Sequence, residues 1–250
     1  MGNIGLQLYS IREAAAADLL GTLEKVAQMG YSAVQFAGFA NQKAEDVKAK
    51  LDELGLKVSG AHIQDNLFED DLDEILKYHE TIGNNLLIIP WLPENMRTTA
   101  DDYKRTAEMM DNLGQKLHAR GFSLGYHNHD FEFDVFDGKT GLDILFENTD
   151  ANHLKMELDC FWASYTNNDP LHVIEKYADR CVSLHIKDLT TKDDQPISTE
   201  LGTGTLPLAD YMNKGKEVGV DWLIVEQEHF TKDPLESAKE NVQAMKNLLK

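Results

Sequence analysis

Short apolar runs of four to seven residues alternate along this chain with longer stretches in which apolar residues recur at helical spacing. Such alternation is typical of repeated βα units around a parallel sheet. Eight runs predict strands, near residues 4–8, 33–37, 57–62, 86–90, 123–128, 153–159, 181–187 and 221–226. The stretches between them predict helices at about 18–29, 43–54, 70–82, 100–120, 140–148, 170–178, 207–218 and 234–249. One long connection, over residues 188–207, has no predicted element.

The ends of the predicted helices carry the residue types expected there. Asp18, Thr99 and Asp169 can cap helix N-termini, and Pro170 follows at a position where its missing N–H is not needed. Glycines that can end a helix in the left-handed conformation follow five periodic stretches, namely Gly30, Gly55, Gly83, Gly121 and Gly219. A strand follows soon after each stop, which favours a (β/α)₈ TIM barrel over a doubly wound sheet. The 250 residues contain no linker-like tract, so we expect one domain over 1–250.

Four of the predicted strands end in, or lead directly to, a side chain that can bind a metal or transfer a proton. Asp159, His185 and Glu226 end the last three strands, and Glu132 lies just past the fifth. The C-terminal ends of barrel strands converge on one face, so these side chains could meet around one cation. Mixed carboxylate and imidazole ligands suit Mn²⁺, Mg²⁺, Fe²⁺, Co²⁺ and Zn²⁺. The pattern therefore predicts one divalent metal site.

Several motifs resemble those of the sugar phosphate isomerase/epimerase family. These are Gly125-Tyr-His-Asn-His-Asp-Phe-Glu132, Asp159-Cys-Phe-Trp162 and His185-Ile-Lys-Asp188. The family consists of xylose isomerase-like barrels and includes inosose dehydratases, ketose 3-epimerases and enzymes that cleave 3-keto-glycosides. The resemblance covers essentially the whole chain and implies a (β/α)₈ barrel that acts on a sugar, polyol or keto-sugar.

The family's metal ligands are Glu, Asp, His and Glu, which the resemblance carries onto Glu132, Asp159, His185 and Glu226. The fifth strand departs from the ketose epimerase pattern. In those enzymes the ligand Glu lies within the strand, where this chain has Tyr126-His-Asn-His129. Glu132 is the preferred ligand, and His127 and His129 are alternatives.

Other polar and aromatic residues near the strand ends are candidates for catalysis or substrate binding. Lys187 lies two residues beyond His185, so both side chains would point to one side of an extended strand, and its cation could hold an oxyanion. Glu132 and Glu226 are the candidate proton-transfer groups. The candidate substrate contacts are Gln7, Tyr9, His62, His127, His129 and Trp162. Ketose epimerases typically have a histidine where this chain has Trp162, which weakens the epimerase interpretation.

Charge and composition limit the kinds of partner that the protein is expected to bind. The net charge of −19, from 43 acidic and 24 basic residues, opposes binding to nucleic acid and to anionic membranes. No apolar run approaches the roughly 20 residues that span a bilayer, and no secretory signal is recognisable, so we expect a cytoplasmic protein. Cys160 and Cys181 lie in apolar runs and are expected to be buried free thiols. The sequence is compatible with a homo-oligomer.

Together these features predict a divalent-metal-dependent sugar isomerase or epimerase that removes a proton next to a carbonyl to form an enediolate. The alternative within the family is a lyase or hydrolase, either an inosose-type dehydratase or an enzyme that cleaves 3-keto-glycosides. A hypothesis from a different class is a non-catalytic sugar-binding barrel, which would bind its ligand without metal and turn nothing over.

Overall fold

The computed structural model describes residues 3–64, 72–193 and 195–250. Eight parallel strands form a closed barrel in which each strand pairs with its neighbours in the sequence. They are β1 (Ile4–Gln7), β2 (Ala33–Phe36), β3 (Lys57–His62), β4 (Leu86–Ile89), β5 (Ser123–His127), β6 (Leu154–Asp159), β7 (Cys181–Ile186) and β8 (Trp222–Val225). The prediction of a (β/α)₈ barrel with eight strands is confirmed.

Eight helices follow the strands around the outside. They are α1 (Leu19–Met29), α2 (Ala44–Leu54), α3 (Leu72–Ile82), α4 (Ala100–His118), α5 (Gly141–Glu147), α6 (Pro170–Lys176), α7 (Leu208–Val218) and α8 (Pro234–Leu248). The first two residues of the helix predicted at 70–82 lie outside the described residues. Asp18, Thr99 and Asp169 accept hydrogen bonds as N-caps, and the five predicted glycines all have positive φ.

Several short elements lie in the connections. Two further helices, Arg12–Ala17 and Cys160–Tyr165, follow β1 and β6. The connection over 188–207 contains an antiparallel pair of strands, Asp188–Lys192 and Gln195–Thr199, which the hydrophobic pattern did not predict because their residues are mostly polar. Its glycine turn is anchored internally, because the Asp188 carboxylate accepts hydrogen bonds from the backbone N–H groups of residues 202, 204 and 206.

The two faces of the barrel sheet are buried in different ways. The outer face packs on the helices, so a strand such as Ala33–Phe36 is buried at every position. Inside the barrel the buried side chains include polar ones, since Gln35 on β2 donates to Glu157 on β6, four strands away around the barrel. Both cysteines are buried and free, as predicted. Among the described helices, none has the length and apolarity needed to cross a membrane.

Candidate metal centre

Four side chains from the C-terminal ends of β5 to β8 meet in a buried group that could hold a cation. They are His127, Asp159, His185 and Glu226, and one ligand atom of each lies within 4.8 Å of the others. His185 Nδ1 is 2.9 Å from Glu226 Oε2, and His127 Nε2 is 3.7 Å from Asp159 Oδ2. We call this group the upper cluster. It contains three of the four predicted ligands, and His127 occupies the fourth place.

Asp159 is held by the backbone at the point where β6 turns into a helix. Its Oδ1 accepts hydrogen bonds from the backbone N–H groups of Phe161 at 2.9 Å and Trp162 at 3.2 Å. The carboxylate is therefore an N-cap, and its second oxygen turns towards the upper cluster. Capping and metal binding are compatible here because they use different oxygens.

Lys187 is fully buried and supplies the cation that neutralises this region. Its Nζ lies 2.8 Å from Asp159 Oδ2 and 2.7 Å from both Glu226 Oε2 and Glu228 Oε1. Burial alone would lower the pKa of Lys187, but the three carboxylates raise it well above the usual value, so the group stays charged. The contact with Glu228 is a hydrogen bond, and those with Asp159 and Glu226 are ion pairs. The cation that the sequence predicts for a substrate oxyanion therefore already lies among three carboxylates.

The titrating groups of the upper cluster have strongly shifted pKa values. Burial raises the pKa of Glu226, but Lys187 and His185 outweigh it and hold the pKa well below the usual range. Burial lowers the pKa of His185, yet the carboxylates of Glu157 and Glu226 raise it to about 10. The pKa of His127 is lowered, first by burial and then by the neighbouring His185, so its imidazole is neutral, which is the form that binds metals.

Glu132, the preferred strand-five ligand, lies outside the upper cluster. A 3₁₀ turn at Phe131–Phe133 directs its buried carboxylate back to β5. There one oxygen accepts from the Tyr126 hydroxyl and the other from the backbone N–H of His129 at 2.8 Å. Burial raises the pKa of Glu132 to about 8. Its oxygens are thus engaged away from the group, and of the two alternatives on this strand the structure brings His127 into the cluster.

A further carboxylate, Glu157, lies beneath the upper cluster inside the barrel. With His62, His127 and His185 it forms a further group whose ligand atoms lie within 4.8 Å of one another. Sequence reasoning did not single out Glu157. It lies two residues before Asp159 on the same strand, however, and such residues point to the same face of the sheet. Once Asp159 is assigned to the barrel interior, Glu157 is predicted to point into the interior as well.

A cavity of about 500 Å³ opens above the upper cluster. Its lining residues are Tyr9, Ala37, Gly38, His62, Gln64, Pro90, Trp91, His127, His129, Glu226 and Glu228. Four predicted substrate contacts, Tyr9, His62, His127 and His129, are therefore placed in the lining.

The other two predicted contacts do not line this cavity. Gln7 is buried below it, where its Nε2 donates to Gln35 Oε1 at 2.7 Å. Trp162 packs against Phe161 and Tyr165. Trp91, at 40% exposure, provides an aromatic wall instead.

The residues of the upper cluster suit a divalent ion. Two carboxylates and two imidazoles are the donor types that Zn²⁺, Mn²⁺, Fe²⁺ and Co²⁺ accept, and four ligands complete a tetrahedral set or leave positions open in a larger one. The region already concentrates negative charge, since three carboxylates converge on one lysine. One side of the group borders the cavity, through His127 and Glu226, so a bound ion could reach a substrate.

Comparison with known proteins places the chain among related barrels. A family model described as a xylose isomerase-like TIM barrel matches residues 23–248. An inosose dehydratase from Geobacillus kaustophilus is 26% identical over 190 residues, which are 67% of this chain and 61% of that protein. An inosose dehydratase from Clostridium perfringens is 28% identical over 100 residues, or 40% and 33% of the two chains. The chain thus spans less than two thirds of the length of these curated relatives.

Solved structures show the same barrel. A sugar phosphate isomerase/epimerase from Parabacteroides distasonis has a TM-score of 0.80 and 25% identity, with 98% of this chain and 94% of that chain covered. The crystal structure of the IolI protein with a bound zinc atom has a TM-score of 0.76 and covers 99% and 98%. Its identity of 12% supports likeness of fold alone.

Proposed function

Since the chain belongs to the xylose isomerase-like TIM barrel family, we propose that it is a divalent-metal-dependent enzyme that removes a proton next to the carbonyl of a sugar or keto-polyol. The observation that carries this proposal is the convergence of His127, Asp159, His185 and Glu226 in one buried group, of which His127 and Glu226 line a cavity of about 500 Å³. These four residues would hold the ion. When bound, it would polarise the carbonyl and stabilise the negative charge that develops as the neighbouring carbon loses its proton.

Glu226 is the proposed base. It lines the cavity, and because Lys187 and His185 outweigh the effect of burial and hold its pKa below the usual range, it is ionised at neutral pH and can accept a proton. His62 and His129 also line the cavity and can bind hydroxyl groups of the substrate. The aromatic rings of Tyr9 and Trp91 would pack on the apolar faces of a sugar ring.

An aldose–ketose isomerase is the outcome that this arrangement supports best. In such a reaction one base removes the proton from a carbon and returns it to the next carbon on the same face. The two carboxylates in the cavity lining, Glu226 and Glu228, come from the same strand end. Epimerisation by two bases on opposite faces would need a second acid–base group across the cavity, and Glu132, the carboxylate predicted for that role, is engaged by Tyr126 and His129 instead.

A dehydratase is the second candidate. It is supported by the curated relatives, which are inosose dehydratases, and by the three histidines, His62, His127 and His129, that line the cavity together with Glu226. In this reaction Glu226 would remove the proton, and one of these lining histidines would protonate the departing hydroxyl. Cleavage of a 3-keto-glycoside would differ only in the group that leaves. Zinc in the IolI protein supports zinc as one of the ions to test.

The test is proton exchange in D₂O with a panel of aldoses, ketoses, inososes and 3-keto-glycosides, in the presence of Mn²⁺ or Zn²⁺. We expect metal-dependent uptake of deuterium next to the carbonyl of at least one compound, and the product then distinguishes isomerase from lyase. Glu226→Gln should abolish exchange and retain much of the metal, whereas Asp159→Ala should lose both. Glu108→Gln, at an exposed position of α4, is the matched control and should behave like the wild type.

A non-catalytic sugar-binding barrel would give a different result. No compound would take up deuterium, and a sugar bound by the protein would keep its affinity after the metal is removed with EDTA. Exchange that proceeds normally in Glu226→Gln would exclude this residue as the base.

A further inference from the structure

We propose that Glu157 is a positioning residue that sets which ring nitrogen of His127 and of His185 faces the upper cluster. The inference rests on the proposed function for its consequence, metal affinity, but the proton position on the His127 ring can be measured without it. Glu157 is fully buried inside the barrel and does not itself line the cavity. It acts through His127 and His185, of which His127 lines the cavity.

One oxygen of Glu157 faces three imidazoles. Oε1 lies 2.8 Å from His62 Nε2, 3.0 Å from His185 Nε2 and 3.3 Å from His127 Nδ1. His185 Nε2 is also 2.7 Å from Gln35 Oε1, an atom that can only accept. A proton on Nε2 of His185 therefore has two acceptors, and a lone pair there would face two oxygens.

The other nitrogen of each ring points the opposite way. His185 Nδ1 faces Glu226 at 2.9 Å, and His127 Nε2 faces Asp159 at 3.7 Å. The Glu157 carboxylate thus lies below one nitrogen of each ring, at 3.3 Å from His127 and 3.0 Å from His185, and the remaining nitrogens are directed at the other members of the upper cluster. Histidines that bind metals commonly donate their second N–H to a carboxylate in this way, which fixes the tautomer and the orientation of the ring.

The second oxygen of Glu157 is held independently of the histidines. Gln35 Nε2 donates to Oε2 at 2.5 Å and Ser183 Oγ donates at 2.6 Å. These donors come from β2 and β7, on different sides of the barrel, so the carboxylate cannot rotate without breaking both. A neutral amide at residue 157 would place an N–H₂ group against donors on one side or the other. An ionised carboxylate is the group that satisfies all these contacts as an acceptor.

The test combines ¹⁵N NMR of the histidine rings with metal titration by calorimetry, using Zn²⁺ as the probe. In the wild type we expect the His127 proton on Nδ1 with and without Zn²⁺, and the zinc-loaded His185 protonated on Nε2. In Glu157→Gln we expect these proton positions to change and the Kd for Zn²⁺ to rise about 10- to 100-fold, with helical content unchanged.

Ser183→Ala is the matched control. It removes a contact to the other oxygen of Glu157 and leaves the carboxylate facing the histidines, so the proton positions should stay and the Kd should change by less than about 3-fold. A proton on His127 Nε2 in the wild type would overturn the inference even if Glu157→Gln failed to fold. So would unchanged proton positions and unchanged zinc affinity in a folded Glu157→Gln.

Failure of the proposed function would give a distinct pattern. If the wild type bound no divalent ion while the His127 proton lay on Nδ1 and moved in Glu157→Gln, the metal-dependent function would be refuted and the positioning role of Glu157 would stand.

Discussion

Replacing Lys187 by Met tests how the charges of the site are balanced. The side chain is fully buried, and its Nζ is the cation that faces Asp159, Glu226 and Glu228 at 2.7–2.8 Å among the described residues. Met has a similar length and fills the space without the charge. The variant leaves two buried carboxylates, Asp159 and Glu226, close together without their ammonium partner.

The size of the effect follows from the burial of the partners. At an effective dielectric constant of 20, one charge pair at this separation is worth about 6 kcal/mol, much of which offsets the desolvation of the charges. Removing one partner of a buried pair typically costs about 3–5 kcal/mol because the other charge stays buried and unpaired. We therefore expect the metal-free Lys187→Met variant to lose about 3–5 kcal/mol of unfolding free energy. For a chain of this size that corresponds to a Tm about 6–20 °C lower.

The assay is urea and thermal denaturation in the presence of EDTA and again with Mn²⁺. Without the competing ammonium the carboxylates should bind the ion more tightly, so Mn²⁺ should raise the stability of Lys187→Met more than that of the wild type. Lys232→Met is the control, because Lys232 pairs with Glu240 at the surface and should contribute less than about 1 kcal/mol. If metal-free Lys187→Met were as stable as the wild type, or were stabilised less by Mn²⁺, Lys187 would not be the cation that balances these carboxylates.

Two further predictions concern residues away from the site. Burial lowers the pKa of His79 to about 4, whereas the same side chain in the unfolded chain should have a pKa near 6.5. Between these two pH values the folded protein keeps His79 neutral while the unfolded chain takes up a proton. The free energy of unfolding should therefore fall by about 3 kcal/mol as the pH drops from 6.5 to 4. His79→Gln should flatten that part of the profile in urea denaturation, and an unchanged slope would contradict the assignment. Gly114→Ala should destabilise the protein by about 1–3 kcal/mol despite the better helix propensity of Ala, because a Cβ at this position of α4 would overlap the His153 carbonyl oxygen. A Tm equal to or higher than that of the wild type in calorimetry would contradict this and show that the helix can shift.

The periodicity of the chain was sufficient to predict the barrel. Strands buried on the helix side read as continuous apolar runs, and the caps at Asp18, Thr99 and Asp169 marked helix starts that the structure confirms. The hairpin strand Asp188–Lys192 was not predicted, because its pairing is local and its residues are mostly polar. Nothing in a hydrophobic pattern distinguishes such a strand from a loop.

The candidate site was predictable where it depends on topology and less so where it depends on loops. Asp159, His185 and Glu226 lie together because parallel strands in a barrel end on one face. Glu132 follows its strand by several residues, and the 3₁₀ turn that directs it to Tyr126 is not encoded in the periodicity. Glu157 was predictable once Asp159 was placed inside the barrel, because residues two apart on a strand face the same side of the sheet.

Anomalous X-ray diffraction from crystals of the protein equilibrated with Mn²⁺ tests the proposed metal centre most directly. We expect one strong anomalous peak per chain, coordinated by His127 Nε2, His185 Nδ1 and the carboxylates of Asp159 and Glu226, with Glu157 behind both rings. A peak coordinated by Glu132 in place of His127 would contradict the proposed ligand set. The absence of any peak at saturating Mn²⁺ and Zn²⁺ would contradict the proposed metal-dependent function.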